Sequence, residues 1–181
     1  MPDTITRLMT VEEYSRLLEQ SEGFYYELHH GELFQVTYPK ARHTKTQRRL
    51  RRLLEAAVGD AGVVEIEIPF RALPEYELRA ADVALVSKER WEAIEPDDYL
   101  RGAPDLVIEV LSPSNTVEEM MDKEKLCLEN GCREFWVVDA KRRQVKVSTP
   151  DGLTRTYHAG QEIPLTLFGS GSLKVDAIFA Q

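Results

Sequence analysis

Hydrophobic positions along the chain switch repeatedly between helical and strand period. Behind Thr10 and Glu13, which form a capping box, Val11, Tyr14, Leu17 and Leu18 recur at helical spacing and predict a helix from about Val11 to Glu19. Phe24 to Leu28, the turn His29-His30-Gly31, and Glu32 to Thr37 read as a hairpin. From His43 to Val58 the helical period returns. Leu50, Leu53, Leu54, Ala57 and Val58 make its inward stripe, and the helix ends near Gly59. Val63 to Pro69 then alternates apolar and acidic residues, as a half-exposed strand does, whereas Ala81 to Ser87 and Leu106 to Leu111 are nearly continuous apolar runs of the kind buried on both faces. Between them, Lys88 to Ala103 holds a short helical piece around Arg90 to Ile94 and a loop.

The second half repeats the logic. Asn115 or Thr116, with Glu118 or Glu119 three positions on, caps a helix that continues to Asn130 and stops at Gly131. Glu134 to Asp139 is a strongly apolar strand, Lys141-Arg142-Arg143 a polar turn, and Gln144 to Ser148 its partner. With Asp151-Gly152 and Thr154 to His158 they form an antiparallel meander. Gly169-Ser170-Gly171-Ser172 reads as a short flexible stretch, too late in the chain to link domains. A length of 181 residues fits one domain over 1–181, and hydrophobic and charged fractions of 43% and 30% are ordinary for a globular protein. No apolar run approaches the roughly 18 residues that span a bilayer, and no leader pattern opens the chain, so the expected setting is cytoplasmic, away from any membrane.

Two acids interrupt the apolar runs: Asp82 within Ala80 to Val86, and Glu109 within Pro104 to Leu111. A carboxylate buried on both faces of a sheet loses its hydration and stays charged only if a metal ion or a cation compensates. Either acid alone is equally well read as half of a structural ion pair or as an edge group facing water. Together they suggest one metal pocket. Hard oxygen ligands without a Cys or His set favour Mg²⁺ or Mn²⁺ over zinc. Cys127 and Cys132 read as reduced core residues. Asp105 lies about 13 Å from Glu109 along an extended strand, at roughly 3.3 Å per residue, and is expected to be structural.

A net charge of −8 argues against indiscriminate coating of nucleic acid. Between Lys40 and Arg52, however, Lys40, Arg42, Lys45, Arg48, Arg49, Arg51 and Arg52 stand without one acidic residue. On a helix, Lys45, Arg48 and Arg52 face outward. Such a face is either a solvated surface or a contact for phosphates, toward which it would steer a polyanion.

The order Tyr26-Glu27-Leu28-x-x-Gly31-Glu32-Leu33, His43, Asp82-Val83, Pro104 to Ser114, Lys123, Gly131 and Glu134 to Asp139 resembles the Uma-two restriction-endonuclease family, within the PD-(D/E)XK nuclease superfamily. The resemblance runs from about Met9 to Asp139. It implies an α/β fold in which helices flank a mixed sheet, here with the antiparallel meander at its C-terminal end, and a metal-dependent endonuclease acting on DNA as a homodimer or higher homo-oligomer. Carried over, Asp82 and Glu109 match the two metal-binding acids, Val110 joins them in the metal set, and Glu27 matches an upstream helix or strand glutamate. The superfamily's lysine two positions after the second acid is replaced by Leu111, and the resemblance assigns its role to Lys123, with Lys125 the near alternative. His43 either contacts phosphate, with Lys45, Arg48 and Arg52, or lines the site. The rival reading is an inactive nuclease-fold module that binds nucleic acid or a protein partner.

Overall fold

The computed structural model describes residues 7–17, 24–167 and 171–180. Its centre is a seven-stranded mixed sheet built from β3 (Gly62–Arg71), β4 (Arg79–Ser87), β5 (Leu100–Arg101), β6 (Leu106–Val110), β7 (Glu134–Asp139), β8 (Gln144–Ser148) and β9 (Thr154–His158). Their spatial order is β5-β3-β4-β6-β7-β8-β9. The β3–β4, β4–β6, β7–β8 and β8–β9 pairs are antiparallel, while β3–β5 and β6–β7 are parallel. A parallel pair cannot be joined by a tight turn, so β6 and β7 are connected by a crossover helix, α4 (Val117–Glu129). Thr116 caps it reciprocally with Glu119, which resolves the choice left open between neighbouring residues.

Two apolar layers enclose the sheet. On one face, Leu50 and Leu54 of α2 (Ala41–Val58) pack with Val83, Leu85, Ile108, Trp136 and Val145. On the other, Leu126 and Cys127 of α4 and Trp91 of α3 (Lys88–Glu92) pack with Ala84, Val86, Val107 and Phe135. β6 is buried along its whole length, as its continuous apolar run requires. A hairpin of β1 (Phe24–His29) and β2 (Glu32–Thr37) lies beside the start of β4, tied by Leu28 and Leu78. Its two-residue turn places His30 and Gly31 at positive φ, and a Cβ on Gly31 would stand 2.7 Å from that of Leu8, so glycine is required there.

Several expectations change. The first helix, α1, is only Val11–Tyr14, followed by a turn to Leu17; Val11 is its one buried residue, and the expected inward position Leu17 is exposed. Leu18 and Glu19 lie outside the described residues. Ala57 is exposed, because the inward line of α2 passes through Gln47, Leu50 and Leu54. Three short strands and a helix carry no period long enough to read: β5, β10 (Glu162–Pro164), β11 (Ser172–Lys174) and α5 (Val175–Phe179). They matter to the core, since Ile163, Leu173, Val175 and Ile178 pack in the same layer as Leu50 and Leu54. Ser172, expected in a flexible stretch, pairs with Pro164 instead; Gly169 and Ser170 lie outside the described residues.

Candidate active site

The ladder between β4 and β6 pairs Val83 with Ile108, and one further step brings Asp82 opposite Glu109. There the two side chains take over from the backbone. The Asp82 amide donates to Glu109 Oε1 at 3.3 Å, and the Val110 amide donates to Asp82 Oδ2 at 2.6 Å. Both carboxylates are thereby clamped where the strands part.

β3 is distorted at the same level. Glu67, opposite Asp82 in the register that pairs Ile66 with Val83, has φ of +54°, a conformation costly for a residue with a Cβ. Ile66 and Val83 pack on the α2 layer, whereas Ile68 and Ala81 pack on the opposite layer, so the strand pair changes faces across Glu67 and Asp82. The break leaves both acids pointing where neither apolar layer continues.

Two helices close over these acids. On α2, His43 and Gln47 sit one turn apart, ahead of Leu50 and Leu54 on the same inward line. Leu50 and Leu54 plant the helix on the sheet, and that sets the position of the polar pair. His43 Nε2 lies 2.9 Å from Asp82 Oδ1, and Gln47 Nε2 donates to Asp82 Oδ1 at 3.1 Å and to Glu67 Oε1. With its nitrogen so committed, Gln47 leaves its carbonyl oxygen buried with no partner among the described residues. From the other side, Lys123 of α4 reaches Glu109 Oε1 at 2.8 Å and donates to the Ala80 carbonyl at 2.6 Å. Glu27 of β1 completes the rim; it accepts from the Ala80 amide at 3.1 Å and meets His29 Nε2 at 2.7 Å.

Electrostatics follow from burial and crowding. Burial pushes the Glu109 carboxyl up to about 8; Lys123 opposes that rise and Asp82 adds to it. Burial, and then the Asp82 charge, also raise Glu67 above the usual carboxylate range, against the Gln47 hydrogen bond. Glu27 moves the other way. Its burial is outweighed by the His29 hydrogen bond and the Lys123 charge, and it stays below that range. For Lys123, burial is overcome by Glu109, Glu27 and Asp82, which hold the ammonium form. His43 is likewise raised: burial disfavours its charge, but the hydrogen bond and charge of Asp82, with Glu67 and Glu109, prevail. Four carboxylates thus converge on one ammonium group and two imidazoles, those of His43 and His29, an arrangement short of positive charge.

That donor set fits a hard divalent cation. His43, Glu67 and Asp82 each offer a ligand atom within 4.8 Å of the others, and the orphaned Gln47 oxygen and the high Glu109 pKa both register uncompensated negative character. Any role for Val110 in metal binding falls to its main-chain carbonyl, since its side chain is in the core and its amide serves Asp82.

A sequence profile of the family described as "Putative restriction endonuclease", Uma2, matches residues 11–176. The chain belongs to this family. A crystal structure of "a putative nuclease belonging to DUF820" from Anabaena variabilis ATCC 29413 has the same fold, with a TM-score of 0.80 over 95% of this chain and 98% of that one, at 20% identity. No curated protein matches the chain.

The fold brings together Glu27, His43, Asp82, Glu109 and Lys123, which span most of the family match. Of its two expected positions, His43 takes the one lining the site. Lys125 is largely exposed and faces Glu129 at 3.9 Å, away from the acids. Lys45, Arg48 and Arg52 are exposed on α2 and form no ion pair among the described residues. Asp105 stands at the far end of β6, where it accepts from the Ser87 amide at 2.9 Å and pairs with Arg90 at 3.1 Å. Glu67, Gln47 and His29 were not anticipated. Gln47 had a signal: it is a polar residue on the inward line that continues through Leu50 and Leu54.

Proposed function

We propose that this protein is a metal-dependent endonuclease that hydrolyses phosphodiester bonds in DNA, using Mg²⁺ or Mn²⁺. The observation that carries the reading is the convergence of Glu27, Glu67, Asp82 and Glu109 on Lys123 at a break between strands, with Glu109 clamped by the Asp82 amide and Asp82 by the Val110 amide. Asp82 and Glu109 would hold the ion, with Glu67 and the Val110 carbonyl beside them. When bound, such an ion polarises the scissile phosphate and acidifies an attacking water.

The chain's own groups do the rest. Lys123 carries three N–H donors and spends two directions on Glu109 and Ala80, so it retains one to orient a water or to stabilise charge developing on the phosphate. His43 and Gln47 fix the orientation of Asp82. Lys45, Arg48 and Arg52 follow the phosphate backbone from the outer face of α2. A cytoplasmic setting and a homo-oligomeric state belong to the same proposal. No helix among the described residues is long and apolar enough to cross a membrane.

Cleavage of supercoiled and linear DNA with Mg²⁺, Mn²⁺, Ca²⁺ or EDTA tests the reading. Metal-dependent nicking that is lost in Asp82→Asn supports it. A purified protein that binds Mn²⁺ but cuts nothing supports the binding module instead.

A further inference from the structure

Beside the acids lies a cavity of about 390 Å³ with largely aromatic walls. Tyr14, Tyr25, Tyr26, Tyr38 and Tyr99 line it together with Pro39, and its polar wall is formed by Glu27, Glu67 and Ala80, the same groups that border Asp82 and Lys123. The rings of Tyr25 and Tyr38 stand 5.5 Å apart at 43°, so they splay instead of stacking shut. Tyr14 is held in place by donating its hydroxyl to the Tyr26 carbonyl at 2.6 Å. Glu27 and Glu67 therefore belong both to the cavity wall and to the acid cluster.

The chemistry of the walls restricts the occupant. Arg79 reaches the cavity, but its guanidinium is committed to Glu77 and Asp122, and Lys123 is committed to Glu109. Carboxylates without an uncommitted cation among the described lining residues repel a free anion. What suits rings beside acceptors is a flat, uncharged group with N–H donors at its edge, which describes a nucleobase. The volume is at the small end for ligand pockets and has room for about one nucleotide, not for a paired duplex.

We propose that this cavity receives an unpaired nucleobase of the strand being cut, so that the substrate class is single-stranded or locally unpaired nucleic acid. The proposal rests on the nuclease reading and deepens it. A base inside an intact duplex cannot enter a recess of this size without being extruded, and extrusion is easiest where the base is mismatched or already single-stranded. The tyrosines would stack that base, which would hold its neighbouring phosphate beside Asp82 and Glu109.

Binding of a short single-stranded DNA carrying 2-aminopurine, followed by fluorescence in EDTA, tests the cavity apart from chemistry. Stacking should quench the probe. Tyr38→Ala should weaken binding about fivefold to a hundredfold, while Tyr38→Phe, which keeps the ring, should bind as the parent does. An unquenched probe, an abasic analogue that binds equally well, or a Tyr38→Ala variant indistinguishable from the parent overturns the proposal. Cleavage separates the two claims. If Mn²⁺-dependent cutting is as fast on matched duplex as on the same duplex with an unpaired bubble, the base pocket falls and the nuclease stands. If nothing is cut but the probe is quenched in a Tyr38-dependent way, the pocket stands and the nuclease falls.

Discussion

Replacing Lys123 with Met should move metal affinity and turnover in opposite directions. The Lys123 ammonium lies 2.8 Å from Glu109 Oε1, the oxygen that would also serve a cation, so metal binding must compete with it. A unit charge pair at 4 Å is worth about 4 kcal/mol at an effective dielectric of 20. If a third of that survives relaxation and water entry, removing the lysine relieves about 1.4 kcal/mol of repulsion toward the ion and tightens its Kd about tenfold. Turnover should fall by about a hundredfold or more, the scale of losing one preorganised catalytic group. Met keeps the unbranched length of the side chain, so packing of α4 over the acids is retained. Because losing Lys123 also raises the Glu109 carboxyl further, Mn²⁺ affinity is read by calorimetry as a function of pH and compared for the ionised carboxylate, and turnover by nicking of supercoiled DNA, with Lys125→Met as the control. A Lys123→Met protein that binds Mn²⁺ more weakly, or that nicks as fast as Lys125→Met, refutes the reasoning.

Asp82→Asn and Glu109→Gln should each abolish metal-dependent cleavage while leaving the fold intact, because an amide keeps the shape of the carboxyl group but cannot carry the charge a cation needs, and Glu109 is already neutral near pH 7 in the metal-free protein; unchanged Mn²⁺ affinity in both variants would show that the ion sits elsewhere. Because Glu109 holds its proton up to about pH 8 in the metal-free protein, Mn²⁺ binding near pH 7 should release a proton, and the apparent affinity should rise toward pH 8 and then level off. A binding heat that is independent of the ionisation enthalpy of the buffer would contradict this. Arg48→Gln with Arg52→Gln should make the salt dependence of DNA binding shallower by about 1.8 in logarithmic slope, since each duplex phosphate that a side chain neutralises accounts for roughly 0.9. An unaltered slope assigns that face to solvent.

The parts of the fold that were legible in the sequence are those where one element carries its own period. The apolar run of β6, the capping box of α4 and the polar turn between β7 and β8 each announce themselves locally, and each appears close to its expected bounds. Elements β10, β11 and α5 span three to five residues and are stabilised by what they touch. Ile163, Leu173 and Ile178 are buried in one layer with Leu50 and Leu54 of α2, a fact no window of sequence contains. The same holds for Glu67. Its neighbours Ile66 and Ile68 announce a strand, but the left-handed φ that turns its carboxylate toward Asp82 is imposed by packing.

The site was legible to the extent that its signals violate local rules. Acids in apolar strands break the pattern of a core, and Asp82 and Glu109 were visible for that reason. Lys123 breaks a pattern too, since it lies on the inward line of α4 with Met120, Leu126 and Cys127, where a lysine has no place unless something buried needs its charge. Gln47 on α2 is the neutral counterpart, three positions ahead of Leu50. Inward polar residues on both flanking helices therefore point at one place between the layers, the break where β3 and β4 change faces. The order of events in binding follows from this geometry. Before any cation arrives Lys123 and His43 lie against the acid cluster and Glu109 keeps its proton, so the metal-free protein can fold without leaving Asp82 and Glu109 as bare buried charges. Ion binding is then an exchange of partners at fixed carboxylates. The ammonium displaced from Glu109 remains tethered by the Ala80 carbonyl, within reach of whatever the ion holds.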